Sequence, residues 1–334
     1  MQTDEYLKLA EVEDRMWYFR SLHRHVEREL ARILGASVEG GVPSPGSEAL
    51  AKMETRGVGA PRPPQPADPN APSGRRPTPE KNAPGGRRPT NVLDAGCGTG
   101  GLILRLREQH PDWHYSGIDF MPIACELARK RCGPDVDLRV ASITELPFAD
   151  QSFDAVVSAD VVCQVDHPEV AAREFFRVLR PGGVVIINVP AYMWMWSYHD
   201  DSCQTKHRYT RPEIEALLRV AGFAERRTTH WNALPFPVVW AKRKLFRSSK
   251  DTSDVKEYPR IVDAAFGGLM ACEHAWVGAG GRWAWGTSVF AAARKPESPD
   301  DGTAGQQDDG TTGQPDHGST GRGGNRRAPS DGNK

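Results

Sequence analysis

The sequence NVLDAGCGTGG, residues Asn91–Gly101, contains the pattern that is most informative about the fold. Val92–Ala95 predicts a short buried strand, the glycines predict a sharp turn, and the LILRLREQH run behind them predicts a helix. Read as GxGxxG from Gly96, the turn has the spacing of a dinucleotide-binding loop. Read as DxGxGxG from Asp94, the same turn carries a carboxylate two residues before its first glycine, which suggests a ligand of different charge.

Strands and helices alternate through the segment that follows. Apolar and β-branched runs predict strands at 113–119, 136–142, 153–160 and 184–190, with helices between them. This alternation predicts a parallel, doubly wound sheet, whose ligand binds beyond the carboxyl ends of the strands where the strand order reverses. Asp94, Asp119 and Asp160 stand at or near three of these ends, so the sequence predicts an acidic ligand-binding edge.

The charge of Asp94 separates two candidate cofactors. A dinucleotide brings a pyrophosphate anion, which favours bare amides at a helix N-terminus and is repelled by a carboxylate beside the turn. S-adenosylmethionine (SAM) brings no phosphate; its ammonium and sulfonium are cations that a carboxylate attracts. Asp119 suits the ribose hydroxyls of either ligand. The residues therefore favour SAM over NAD.

Four successive motifs resemble the class I SAM-dependent methyltransferases: VLDAGCGTGG, SGIDFMPIACELARKR, ITELPFADQSFDAVVSADVV and EFFRVLRPGGVVIINVP. The resemblance spans residues 92–190 and implies a Rossmann-like, doubly wound α/β sheet of seven strands, mostly parallel with an antiparallel last strand, under a helical lid. It also implies that the glycine turn holds the methionine portion of SAM, that Asp119 binds the ribose, and that Met121 packs on the adenine. Together with the charge and strand-end arguments it gives the predicted cofactor-binding set: Asp94, Gly96, Cys97, Gly98, Gly100, Asp119, Met121, Ser142, Ile143 and Asp160.

Residues 188–223 resemble a subgroup of bacterial methyltransferases with a WxWSxHD run followed by HRYT, which also begin with an acidic helix bearing an aromatic cluster, here Trp17–Phe19. Four residues of this segment are candidates for a general base, or else hold the loop together: His199, Asp200, His207 and Tyr209. Spacing of four also places His199, Cys203 and His207 in a pattern that a zinc ion could use. Because the methyltransferase motifs need no metal, none is predicted.

Composition divides the chain into four parts. Residues 1–34 have apolar residues at three- and four-residue spacing, which predicts one long helix that docks on the body or forms a lid. Residues 35–89 are rich in Pro and Gly and predict a disordered linker, and residues 295–334 predict a disordered tail. We expect the methyltransferase domain over residues 90–294, with a substrate-lid insert at about 234–282.

Charge and cysteine content restrict the function classes. The 43 basic and 43 acidic residues balance, so no global footprint for nucleic acid is expected. Six cysteines without a CxxC pair predict reduced thiols, and with neither a signal peptide nor an apolar membrane span in the sequence we expect a cytoplasmic protein. The basic, amphipathic segment 234–247 could contact a membrane surface but more often such a helix caps a cleft.

The sequence thus predicts an enzyme that methylates a small-molecule, natural-product or glycan acceptor. Oxygen is the expected methylated atom, in preference to nitrogen or carbon. The alternatives are a catalytically inactive SAM-binding or scaffolding protein and, less favoured, an NAD-dependent oxidoreductase.

Overall fold

The structure, a computed structural model, describes residues 3–35, 89–245, 255 and 257–297. The predicted linker and tail lie outside these residues except at their ends. The helices are α1 (Thr3–Val12), α2 (Trp17–Leu34), α3 (Gly101–Gln109), α4 (Pro122–Cys132), α5 (Pro168–Val178), α6 (Tyr198–Ser202), α7 (Arg211–Val220), α8 (Phe236–Leu245) and α9 (Arg260–Gly278). The strands are β1 (Asn91–Ala95), β2 (His114–Asp119), β3 (Asp137–Val140), β4 (Phe153–Ala159), β5 (Leu179–Pro190), β6 (Ala224–Trp231) and β7 (Ser288–Arg294).

The strands form one sheet in the order β3-β2-β1-β4-β5-β7-β6. β1 to β5 pair in parallel, and β7 is antiparallel to both β5 and β6. The predicted Rossmann-like, seven-stranded, mostly parallel sheet is therefore confirmed. The last strand lies inside the sheet rather than at its edge, because the side chains of β7 are nearly all buried whereas β6 begins with exposed charged residues.

Helices cover both faces of the sheet. Alternate residues of each central strand point to opposite faces, so Val92 packs with α2 and α3 while its neighbour Leu93 packs with α5 and α7. On the first face Val26 and Leu30 of α2 are fully buried. The N-terminal segment therefore docks on the body, and among the described helices none is long and apolar enough to cross a membrane.

The prediction of one long N-terminal helix is wrong, because the chain breaks between α1 and α2. Met16 has an extended backbone (φ −70°, ψ 129°), and the N–H of Trp17 donates to Asp263 Oδ1 of α9 at 2.8 Å. The break also lets the side chain of Glu13 turn into the body. These partners lie far along the chain, so the apolar spacing of residues 1–34 does not reveal the break.

Candidate active site

The strand order reverses between β1 and β4, and the loops that follow these two strands touch. Gly96 has φ +103°, and a Cβ placed on it would lie 2.1 Å from Val161 Cγ2. Only glycine combines this left-handed backbone with so close an approach. In a doubly wound sheet this switch point is where a ligand binds.

The glycine turn is tied to the end of β2 by its own amides. The N–H groups of Gly96 and Cys97 donate to Ile118 O at 2.8 and 2.7 Å, and that of Gly98 donates to Asp119 Oδ2 at 3.0 Å. Gly98 and Gly100 also have positive φ, as the predicted turn requires. Three amides that a pyrophosphate could have used are therefore already bonded within the fold.

Glu13 lies at the N-terminus of α3, where a dinucleotide would place its phosphates. A Cβ on Gly101 would meet the Glu13 carboxyl carbon at 2.3 Å. The carboxylate accepts from the Thr99 hydroxyl and from Arg131 Nη1, the latter at 2.7 Å. With the positive end of the helix dipole already facing an acid, the site does not suit a phosphate-bearing ligand.

Asp119 is a buried carboxylate at the end of β2. Besides Gly98, it accepts from the Met121 N–H at 2.9 Å and from the Tyr6 hydroxyl of α1 at 3.1 Å, both at Oδ1. Burial raises the pKa of this carboxyl, and the bonds from the two amides and from Tyr6 oppose the rise. The Tyr6 hydroxyl donates a hydrogen bond to Asp119, so the Tyr6 side chain occupies a position that a ribose hydroxyl could take.

Of the three acids at the strand ends, Asp94, Asp119 and Asp160, Asp94 has the most strongly raised pKa. Its side chain is 3% exposed, and burial, with the nearby charges of Glu13 and Asp119, raises the pKa to about 8. A cationic ligand reverses this effect, because its charge stabilises the carboxylate. The carboxylate of Asp94 thus suits the ammonium and sulfonium cations of SAM.

Asp160, just after β4, belongs to a buried polar network. Its backbone is in the left-handed region at φ +60°, which is uncommon for a residue other than glycine. The carboxylate accepts from the Tyr18 hydroxyl at 2.7 Å and from Asn188 Nδ2 at 2.8 Å, and Trp231 Nε1 donates to Asn188 Oδ1. Burial raises the pKa of Asp160 to about 6, against the effect of these bonds.

One cavity of about 1550 Å³ is lined by residues of the predicted cofactor set: Asp94, Gly96, Cys97, Gly98, Asp119 and Asp160. Gly100 of that set is not among the described residues that line it. Met121, Ser142 and Ile143 also line it, and the Ser142 hydroxyl is within 2.7 Å of Thr144 Oγ1. Several polar lining residues were not predicted from the sequence, since they come from α1, α2 and the turn between them: Tyr6, Glu13, Tyr18 and His23. The aromatic cluster at Trp17–Phe19 was the one available signal for them.

The structure separates the four predicted catalytic residues. His199 and Asp200 line the cavity, and His207 and Tyr209 are not among the described residues that line it. The carboxylate of Asp200 is held by Arg208 Nη1 at 2.6 Å and caps α6 by accepting from Ser197. These contacts give Asp200 a role in holding the loop.

His207 and Tyr209 have partners of their own. His207 Nε2 lies 3.1 Å from Glu213 Oε1, and its ring meets that of Tyr209 edge-on with centroids 4.6 Å apart. The Tyr209 hydroxyl is directed at Val162 O, 3.5 Å away. Cys203 Sγ contacts His199, but α6 ends at Ser202, so His207 is not on one helical face with them. Within the described residues no group of three or more His, Cys, Asp or Glu side chains could hold a metal ion.

The sheet has the strand topology that the sequence predicted, with one acid before the glycine turn and a second acid at the end of β2. Residues 93–187 match the family model described as a methyltransferase domain. This part of the chain is therefore similar to methyltransferase domains.

Curated relatives share this region. A ubiquinone/menaquinone biosynthesis C-methyltransferase of Desulfotalea psychrophila is 37% identical over 28% of this chain and 38% of that protein. A malonyl-[acyl-carrier protein] O-methyltransferase of Dechloromonas aromatica is 36% identical over 40% of this chain and 52% of that protein. Among solved structures, a Haemonchus contortus phosphoethanolamine N-methyltransferase 2 in complex with SAM is 18% identical, with a TM-score of 0.44, over 63% of this chain and 50% of that chain. The chain spans about half or less of the length of these curated relatives.

Proposed function

We propose that the chain transfers the methyl group of SAM to a hydroxyl group of a small-molecule acceptor, with Asp160 as the proton acceptor. The observation that carries the proposal is the position of Asp160 at the switch point: it follows β4, next to the strand that carries Asp94, and lines the same cavity. SAM supplies, when bound, a methyl group on a sulfonium that is a good leaving group.

The cofactor side of the cavity is assigned to the loops after β1, β2 and β3. Asp94 attracts the cationic methionine end, the turn of Gly96, Cys97, Gly98 and Gly100 lets the backbone approach it, and Asp119 binds the ribose. Met121, Ser142 and Ile143 border the adenine. The Ser142 hydroxyl, already paired with Thr144, can contribute one hydrogen bond there.

Asp160 has the properties of a general base for a hydroxyl. With a pKa near 6 it is mostly ionised at neutral pH, while its basicity exceeds that of an ordinary carboxylate. Tyr18 and Asn188 fix its orientation, and Trp231 fixes Asn188. As the acceptor oxygen bonds to the methyl carbon, the carbon–sulfur bond breaks and the hydroxyl proton passes to Asp160. The products are a methyl ether and S-adenosylhomocysteine.

His199 is the other proton acceptor that this arrangement allows. It lines the cavity, as Asp160 does. Comparing Asp160→Asn with His199→Gln distinguishes the two assignments, since only loss of the true base affects the rate of transfer.

The test is transfer of label from methyl-labelled SAM to a panel of phenols and aliphatic alcohols. Asp160→Asn is expected to lower kcat/KM by about 10²–10⁴, the usual contribution of a general base, while S-adenosylhomocysteine still binds. Transfer that is confined to amines, or that survives in Asp160→Asn, would contradict the proposal.

A further inference from the structure

The cavity is larger than one ligand needs. Pockets for drug-sized ligands run about 300–1,000 Å³, and this one measures about 1550 Å³. On the proposed function, SAM occupies the end beside the glycine turn. The remaining volume is then available to an acceptor that is itself of substantial size.

The wall that α2, α8 and α9 form around this volume is apolar. Trp17 of α2 stacks on Phe266 of α9, with ring centroids 4.8 Å apart and planes at 17°. Phe266, Val262 and Val239 all line the cavity. The wall is held in place by Asp263, which accepts from the Trp17 N–H and pairs with Arg20. A hydrocarbon or aromatic surface is what such a wall buries best.

The charges that line the cavity disfavour an anionic acceptor. Within the described residues its cationic lining side chains are Lys206 and Arg208, and each is paired, with Asp166 and Asp200 respectively. Apart from Asp166 and Asp200, which make these two pairs, the lining acids are Glu13, Asp94, Asp119, Glu145 and Asp160. These acids would repel a phosphate or carboxylate group of an acceptor, and both Lys206 and Arg208 are already in ion pairs.

We propose that the acceptor is an amphiphile with a hydrocarbon or aromatic body and no phosphate or carboxylate group. Its body lies against the wall of α2, α8 and α9, and its hydroxyl group reaches Asp160. The inference rests on the proposed function and narrows it: glycans and phosphorylated acceptors are excluded by the apolar wall and by the charge of the lining.

The test is isothermal titration of the chain, saturated with S-adenosylhomocysteine, with decanol and with decanoate below their aggregation concentrations. Decanol is expected to bind, and decanoate, which has the same chain length but carries a charge, at least about tenfold more weakly. Two neighbouring residues of α9 provide matched variants. Val262 lines the cavity, whereas Ile261 is 85% exposed.

Val262→Asp is expected to weaken decanol binding by at least about tenfold, because it places a charge on the apolar wall, whereas Ile261→Asp leaves it within about twofold. S-adenosylhomocysteine affinity serves as the check of folding. If Val262→Asp fails that check, Val239→Asp on α8 replaces it. Equal or tighter binding of decanoate, absence of decanol binding, or equal losses in the lining variant and Ile261→Asp would overturn the inference. Failure of the proposed function is distinct, since it would show as absence of S-adenosylhomocysteine binding or of methyl transfer.

Discussion

The raised pKa of Asp94 predicts that SAM affinity depends on pH. With a pKa of about 8 in the free cavity, the carboxyl is ionised in about 1% of molecules at pH 6 and in about a quarter at pH 7.5. Because a cationic ligand binds best to the carboxylate, affinity for SAM should rise about 24-fold between these pH values, about 1.9 kcal/mol. Over this range the ligand's own ammonium, with an ordinary pKa of about 7.7–8.0, stays largely protonated.

Isothermal titration at pH 6.0, 6.5, 7.0 and 7.5 measures this dependence, and titration in buffers of different ionisation enthalpy counts the protons released. Asp94→Asn keeps the shape of the side chain but cannot ionise, so it should bind more weakly at pH 7.5 and lose most of the pH dependence. Asp137→Asn, at an exposed position on β3, is the matched control and should behave as the unsubstituted chain. A variant at Asp94 that keeps the full pH dependence would refute the assignment.

Three further predictions follow from the same contacts. Tyr6→Phe removes the hydrogen bond to Asp119, which a ribose hydroxyl can replace when the ligand is bound. Chemical denaturation should show a free energy of unfolding of the free chain that is lower by about 0.5–1.5 kcal/mol, and titration should show S-adenosylhomocysteine binding that is severalfold tighter. Weaker binding contradicts this prediction. Gly96→Ala places a methyl group against Val161 at positive φ and should lower the free energy of unfolding by about 1–3 kcal/mol in the same denaturation assay. Gly133→Ala, with open space around it, should lower this free energy by less, and equal losses would contradict the role of packing against Val161. The melting temperature of the free chain should fall as pH rises from 6.5 to 8, because Asp94, with its pKa raised to about 8, stays largely protonated in the fold while it is ionised in the unfolded chain. Below pH 6.5 buried His25, with its pKa lowered to about 4, opposes this trend, because its contribution to stability is lost as pH falls. A melting temperature that rises steadily to pH 8 contradicts the assignment of Asp94.

The sheet and the cofactor edge could be predicted because their signals are local. The central strands β1, β4 and β5 contain short apolar runs, and Asp94, Asp119 and Asp160 stand at or near the ends of strands. The glycine turn has positive φ at Gly96, Gly98 and Gly100, and glycine is the residue type that adopts positive φ most readily. Such features need no knowledge of distant contacts.

The contributions of the N-terminal helices could not be predicted in the same way. Tyr6, Glu13 and Tyr18 meet partners that are 113, 86 and 142 residues away along the chain. The spacing of apolar residues in this segment shows an apolar stripe but not which polar side chains turn inward. The resemblance of Trp17–Phe19 to an aromatic cluster in related sequences indicated this segment, with docking on the body or a lid both left open, and did not identify the hydroxyl that reaches Asp160.

The role of each residue in the polar segment after β5 could not be predicted for a related reason. His199, Asp200, His207 and Tyr209 are residue types that serve as bases, and they lie beyond a strand end as expected. Two of them are held by partners, Asp200 by Arg208 and His207 by Glu213, and these partners are equally ordinary in the sequence. Residue type and position therefore identify the loop, whereas the role of each side chain depends on its pairing.

Isothermal titration of the purified chain with SAM, S-adenosylhomocysteine and NAD⁺, beside an Asp119→Ala variant, measures directly whether the acidic edge binds SAM. We predict micromolar binding of the first two ligands, loss of at least about tenfold in affinity in the variant, and no binding of NAD⁺. Binding of NAD⁺ with no response to SAM would contradict this prediction, because Glu13 and Asp94 would then have to accommodate a pyrophosphate.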